Sequence, residues 1–298
     1  MSAAEVGAAT TAGAVTGATA SVATRPRRRW STRFLRSELR LIAGRRRNQM
    51  GLLVLAAVPI IMAIAVKVST PGAGEGPNFL SSITSNGLFV PLAALGVEIA
   101  MFLPLAMSML SGDAVAGEAN LGTLRYLLTV PVSRTRLLAV KYLSLCIGAL
   151  WGVAAVAVPG AVIGIALFGT GDLTTLSGSQ ISFGAAVWRV VLVMLYLAAG
   201  LAGLAAVGLF ISTLTEQPIA ASIALLIFTI LSWILDTVPQ LGWLHPWLIV
   251  HEWMSFGDLL RDPIAWTNVL RGLFVDGVYA VVFWLAAWAR FSSKDITS

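Results

Sequence analysis

Charge is what this chain of 298 residues has least of. Asp, Glu, Lys and Arg make up 11% of it, against about 25% in an ordinary globular domain. Lysine occurs only at Lys67, Lys141 and Lys294, and none of them follows a glycine. A GxxxxGK[ST] phosphate loop is therefore absent, and with it the usual cradle for ATP. The single cysteine, Cys146, excludes an intrachain disulfide. Of the two histidines, His251 precedes Glu252, but Ser255 stands where an HExxH motif needs its second histidine. His245 and His251 do not share a helical face, and no GxSxG motif occurs. A hydrolytic enzyme and a metal centre are left without support.

What the chain has is apolar length. Hydrophobic residues make up 57%, and they are gathered in long runs. Gln49 to Val66, Tyr142 to Gly171, Val190 to Thr215 and Gln217 to Leu235 carry no Asp, Glu, Lys, Arg or His. Gly87 to Gly112 carries only Glu98, and Gly272 to Ala289 only Asp276. Crossing a bilayer core of about 30 Å takes about 20 mostly apolar residues in a helix. Continuous runs of this kind exclude the alternating pattern of a membrane barrel. The expected fold is all-α and polytopic, with six transmembrane helices at about 49–67, 87–111, 142–169, 190–213, 217–235 and 272–290.

Basic residues set the expected orientation. If the N-terminus is cytosolic, 16 of the 20 Lys and Arg residues fall in inside segments. The outside segments hold Lys67, Arg189, Arg261 and Arg271. The positive-inside rule then places both termini in the cytosol. The pI near 10.1 reflects this topology and calls for no nucleic-acid partner. Residues 1–24 have no basic region ahead of an apolar core, so they read as a disordered cytosolic tail rather than a signal peptide.

Ahead of the first run, Arg29, Arg33, Arg36 and Arg40 recur at helical spacing, with Arg47 further on. Trp30, Phe34, Leu35, Leu39, Leu41 and Ile42 take the other side. A helix at about 29–47 with these faces would lie in the membrane interface against anionic headgroups; the alternative is a basic flank that only sets topology. In the third run, Gly148, Gly152, Gly160 and Gly164 form two GxxxG pairs suited to close helix approach. Between the fifth and sixth runs, Thr237 to Asn268 holds four tryptophans and both histidines. This connection reads as short re-entrant or interfacial helices.

Two features carry functional weight. Glu98 is a carboxylate midway along the second span, a candidate for a translocation path or a proton relay, or else a buried group bonded to a neighbour. The segment Gly112 to Tyr142 reads as an acidic stretch, an amphipathic helix at about Glu118 to Leu128 and a break at Pro131. Ser133 then caps the helix that enters the third span. Leu121, Leu124 and Leu128 fall on one stripe of the expected helix.

The pattern Asp113, Glu118, Gly122-Thr123-Leu124-Arg125, Leu127-Leu128, Pro131-Val132-Ser133-Arg134 and Lys141 resembles the ABC-2 type transporter permease family. The resemblance extends over roughly residues 27–298. It implies six spans, an interfacial elbow helix before the first, a coupling segment between the second and third, and half-inserted helices between the fifth and sixth. It further implies a bacterial inner-membrane exporter subunit that dimerises with a second permease copy or paralogue. ATP and Mg would then sit on a separate ABC ATPase subunit, with no cofactor on this chain. Glu118, Gly122, Thr123, Leu124, Arg125, Pro131 and Arg134 would form the coupling contact. The alternative is a stand-alone proton-coupled secondary transporter that uses Glu98.

Overall fold

The computed structural model describes residues 33–68, 86–122 and 133–293. Its elements are α1 (Arg33–Gly44), α2 (Arg46–Val68), α3 (Phe89–Ala100), α4 (Phe102–Gly112), α5 (Ala116–Asn120) and α6 (Arg134–Phe168). A two-stranded antiparallel hairpin follows, β1 (Leu173–Thr174) with β2 (Gln180–Ile181). Then come α7 (Phe183–Leu214), α8 (Pro218–Asp236), three 3-10 helices (Pro239–Leu241, His245–Trp247, Trp253–Leu260) and α9 (Trp266–Ser293). Helices α2, α6, α7, α8 and α9 are each long and apolar enough to cross a membrane, and α3 with α4 makes a sixth if the bent pair is one span.

The break in that pair has a local cause. Pro104 has no N–H to donate to the carbonyl of Ala100, so one helix ends there and another begins with proline in its first turn, where it is tolerated. Met101 leaves helical geometry at φ −142° and ψ −54°, and the two halves meet at 57°. Glu98 lies in the last turn before this break.

Helix α6 has 35 residues, about 52 Å at 1.5 Å per residue. It outruns a bilayer core by several turns. Ser133 caps it as expected, its hydroxyl accepting from the Arg136 N–H. The glycine face of α6 is a packed seam: a Cβ at Gly164 would collide with the backbone of Gly87, and one at Gly160 would sit 3.0 Å from Pro91 Cα. Helix α7 is central, with Leu197, Gly200, Leu201 and Gly203 through Leu209 all buried. Its small residues let α4, α6 and α9 approach closely.

Three expectations change in detail. The expected helix at about 29–47 is not continuous: α1 ends at Gly44 and α2 begins at Arg46, so Arg47 belongs to the first long span rather than to the basic face of α1. Of the helix expected from Glu118 to Leu128, the described part is interrupted: α5 ends at Asn120, ahead of Gly122 at φ +66°, a left-handed conformation that stops a helix, and residues 123–128 lie outside the described residues. The connection after α8 is built of 3-10 helices with Trp253 and Leu259 buried in the bundle.

The bundle has two distinct ends. One gathers α1, α5, the start of α6 and the end of α9. The other gathers the hairpin and the 3-10 segment, joined by the Leu176 N–H to the Leu260 carbonyl at 3.1 Å. Arg189 also donates to the Leu259 and Arg261 carbonyls there, at 2.6 and 2.9 Å.

Candidate coupling end and buried carboxylates

The α1 end carries an ionic cluster that ties together elements far apart in sequence. Lys141 Nζ, on α6, lies 2.5 Å from Glu118 Oε1 on α5 and 3.7 Å from Glu38 Oε1 on α1. Lys141 and Glu38 are 3% and 7% exposed. Taking these charges out of water costs several kcal/mol per ion, and that cost is sustained only because one ammonium serves both carboxylates. Burial pushes the Glu118 carboxyl above its ordinary value and the neighbouring Glu38 adds to this, while Lys141 and Arg45 oppose it. A second pair sits beside the first: Arg45 Nη1 meets Asp113 Oδ2 at 2.7 Å, and Arg47 binds the same oxygen.

Ser212 of α7 fixes the turn into α5. Its hydroxyl accepts from the N–H groups of Val115 and Ala116 at 3.1 and 2.9 Å and donates to the Gly112 carbonyl at 2.9 Å. Nothing in the sequence marked Ser212, because its role depends on a chain segment about 100 residues away.

Among the residues expected to couple, Glu118 is half-buried and held by Lys141, and Gly122 forms the exposed turn after α5. Arg134 does not join them. Its guanidinium donates to the carbonyls of Phe291 and Ser292 at 3.2 and 2.9 Å, at the end of α9. Trp288 Nε1 adds a 2.9 Å bond to Thr135 Oγ1. Arg134 thereby closes the last carbonyls of one long helix against the start of another. Thr123, Leu124, Arg125 and Pro131 lie outside the described residues, as does Arg29. Arg33, Arg36 and Arg40 all lie exposed on α1, with Phe34, Leu35 and Leu39 half-buried.

Glu98 is wholly buried, and neither carboxylate oxygen has a hydrogen-bond partner among the described residues. No described residue is the bonded neighbour that the alternative for Glu98 requires. An unpartnered buried polar group costs about 1–3 kcal/mol, so retaining one at a helix break is unusual.

A second buried polar group lies toward the opposite end. Tyr196 Oη donates to the Glu252 carbonyl, and Ser255 Oγ to Glu252 Oε2, both at 2.5 Å. Asp276 is 4% exposed, and a Cβ on Gly200 would touch both the Trp253 indole nitrogen and, at 3.4 Å, Asp276 Oδ2. His251 Nδ1 lies 2.6 Å from Asp236 Oδ1. The single charge at Asp276 was visible in its apolar run; its neighbours on α7 and the 3-10 segment were not.

Five helices long and apolar enough to cross a membrane, with a bent pair that makes a sixth if it is one span, mark a polytopic membrane protein. Residues 54–297 match the family described as "Protein of unknown function (DUF2705)", and the chain belongs to it. No curated protein matches the chain.

Proposed function

We propose that the chain is the membrane subunit of an ATP-driven exporter of the ABC-2 type, set in a bacterial cytoplasmic membrane with both termini cytosolic. In this reading α3 and α4 form one broken span, giving six, and α1 is the interfacial elbow. The subunit pairs with a second permease copy or paralogue and with a separate ATPase chain that carries ATP and Mg.

The observation that carries the reading is the bridge from Glu118 through Lys141 to Glu38. A partner pressing on the segment after α4 would move α5. Lys141 passes that displacement directly to α6 and α1, because a buried ion pair resists separation more than an exposed one. Arg134 extends the same end to α9. Charge distribution supports the orientation: Arg33, Arg36, Arg40, Arg45, Arg46, Arg47, Arg134, Arg136, Lys141 and Arg290 lie at the α1 end, against Lys67, Arg189, Arg261 and Arg271 at the other.

The test is purification of the tagged chain from its native membrane in mild detergent. A stoichiometric ATPase with a phosphate loop should accompany it, and Arg125→Ala should lower transport-coupled hydrolysis while the chain still inserts and folds. Glu118→Ala should do the same, read against its thermal stability because it also removes a Lys141 contact.

The unpartnered carboxylate of Glu98 favours a second reading, a proton-coupled transporter acting alone. Transport by the purified chain in vesicles driven by a proton gradient without ATP, and lost in Glu98→Gln, would select it over the first.

A further inference from the structure

A partly open cleft of about 80 Å³ lies between α2, α4 and α6 near the α1 end. Its walls are apolar, with Leu55, Leu103 and Leu201 at depth and Trp151 and Gly152 on α6. Its mouth is polar: Arg47, Asn48 and Gln49 line it where α1 passes into α2. An apolar groove that is open along one side, with a few polar groups gathered at one edge, has the lining of a site for one apolar chain with a polar head. Glycine makes the room. Gly51 and Gly152 both line the cleft; a Cβ on Gly51 would meet nothing within 4 Å, and one on Gly152 only side-chain carbons at 3.5 and 4.0 Å.

Charge at the mouth selects the occupant. Arg45 and Arg47 share one carboxylate, Asp113, and both guanidiniums remain about 40% exposed. The described residues at this end include ten basic side chains, whereas the acidic ones are Glu38, Asp113, Glu118 and Glu216. Two of those acids are already held by Lys141. The mouth thus keeps a positive excess at the first turn of the long apolar helix α2, with an apolar cleft beyond it.

We propose that this cleft is a binding site for one anionic phospholipid of the leaflet at the α1 end, with an acyl chain between α2, α4 and α6 and the phosphate on Arg47. The lipid would then wedge the joint between α1 and α2 next to the Lys141 bridge, so its presence would set how stiffly that end is held. The site depends only on the chain lying in a membrane and is independent of what drives transport.

Trp151 supplies the readout. The full chain and its Trp151→Phe variant are reconstituted in phosphatidylcholine vesicles containing phosphatidylglycerol, with bromine on the acyl chains of one lipid or the other. The difference in emission between the two proteins isolates Trp151. At equal mole fraction, brominated phosphatidylglycerol should quench that emission at least about twice as strongly as brominated phosphatidylcholine. Arg47→Gln leaves Arg45 to hold Asp113 and should bring the two lipids close to equal quenching, since one arginine near an anionic headgroup is worth about 1 kcal/mol, a factor of about five. Gly51→Leu, whose Cβ meets nothing within 4 Å, adds bulk to the cleft wall and should abolish the preference. Equal quenching by the two lipids, in which the site takes any acyl chain, would overturn the proposal. So would no quenching by either lipid, with the cleft closed by protein, or a preference unchanged in both variants.

Discussion

Gly164 of α6 and Gly87, just ahead of α3, bring two backbones into direct contact, with no room for a Cβ on either. Gly87 N–H also bonds the Gly169 carbonyl at 3.2 Å, so the approach is fixed at a second point. Backbone atoms cannot rotate away as a side chain can. Gly164→Leu should therefore cost about 3 kcal/mol or more and lower the thermal midpoint of the detergent-solubilised protein. Gly152→Ala, whose new methyl would find its nearest neighbour at 3.5 Å, should stay close to wild type. Equal losses in the two variants would mean that the seam is not limited by backbone contact.

Glu118 makes stability depend on pH. Its carboxyl is raised by burial above an ordinary value of 4.5, so the folded state binds a proton that the unfolded state has already released. Its contribution is fully present below that ordinary value and declines as pH rises through the elevated one. Wild-type protein should lose stability as pH climbs from about 4.5, and Glu118→Gln should flatten that part of the profile. Thermal midpoints at a series of pH values test this; parallel profiles for the two proteins would place the dependence elsewhere.

The spans were legible because the membrane demands uninterrupted apolar length, and every apolar run except Gly87 to Gly112 lies along one long helix. The break at Met101 was not read, although Pro104 was visible. Hydropathy counts proline as one more residue in the run and ignores its missing N–H. Helical spacing of arginines likewise ran on from Arg40 to Arg47, while α1 ends between them at Gly44. Lys141 was placed in a motif by its spacing, but its pairing with Glu38 joins residues from two separate helices. Such pairings are set by tertiary packing, and no local pattern encodes them.

Glu98 should distinguish stability from function. Its oxygens make no hydrogen bonds among the described residues, so Glu98→Leu removes a cost of about 1–3 kcal/mol and should raise thermal stability. Glu98→Gln should leave stability near wild type. If both variants fold and transport falls in both, the carboxyl acts in the path of substrate or proton. A less stable Glu98→Leu protein would show that the carboxyl has a partner in the folded state.

Topology is the broadest commitment, and two single positions decide it. Asn120 and Asp172 are both exposed, one at the end of α5 and the other ahead of the β1–β2 hairpin, at opposite ends of the bundle. Cys146 lies inside α6, so a Cys146→Ser background leaves no competing thiol. Ten basic residues at the α1 end against four at the other should retain the α1 end in the cytosol. An impermeant maleimide applied to intact cells should then label Asp172→Cys strongly and Asn120→Cys only after the membrane is opened. Labelling of Asn120→Cys in intact cells would invert the orientation and remove the cytosolic ATPase from reach of α5. Labelling of both in intact cells would put the two positions on one side although the 35-residue α6 lies between them, and would remove α6 from the helices that cross.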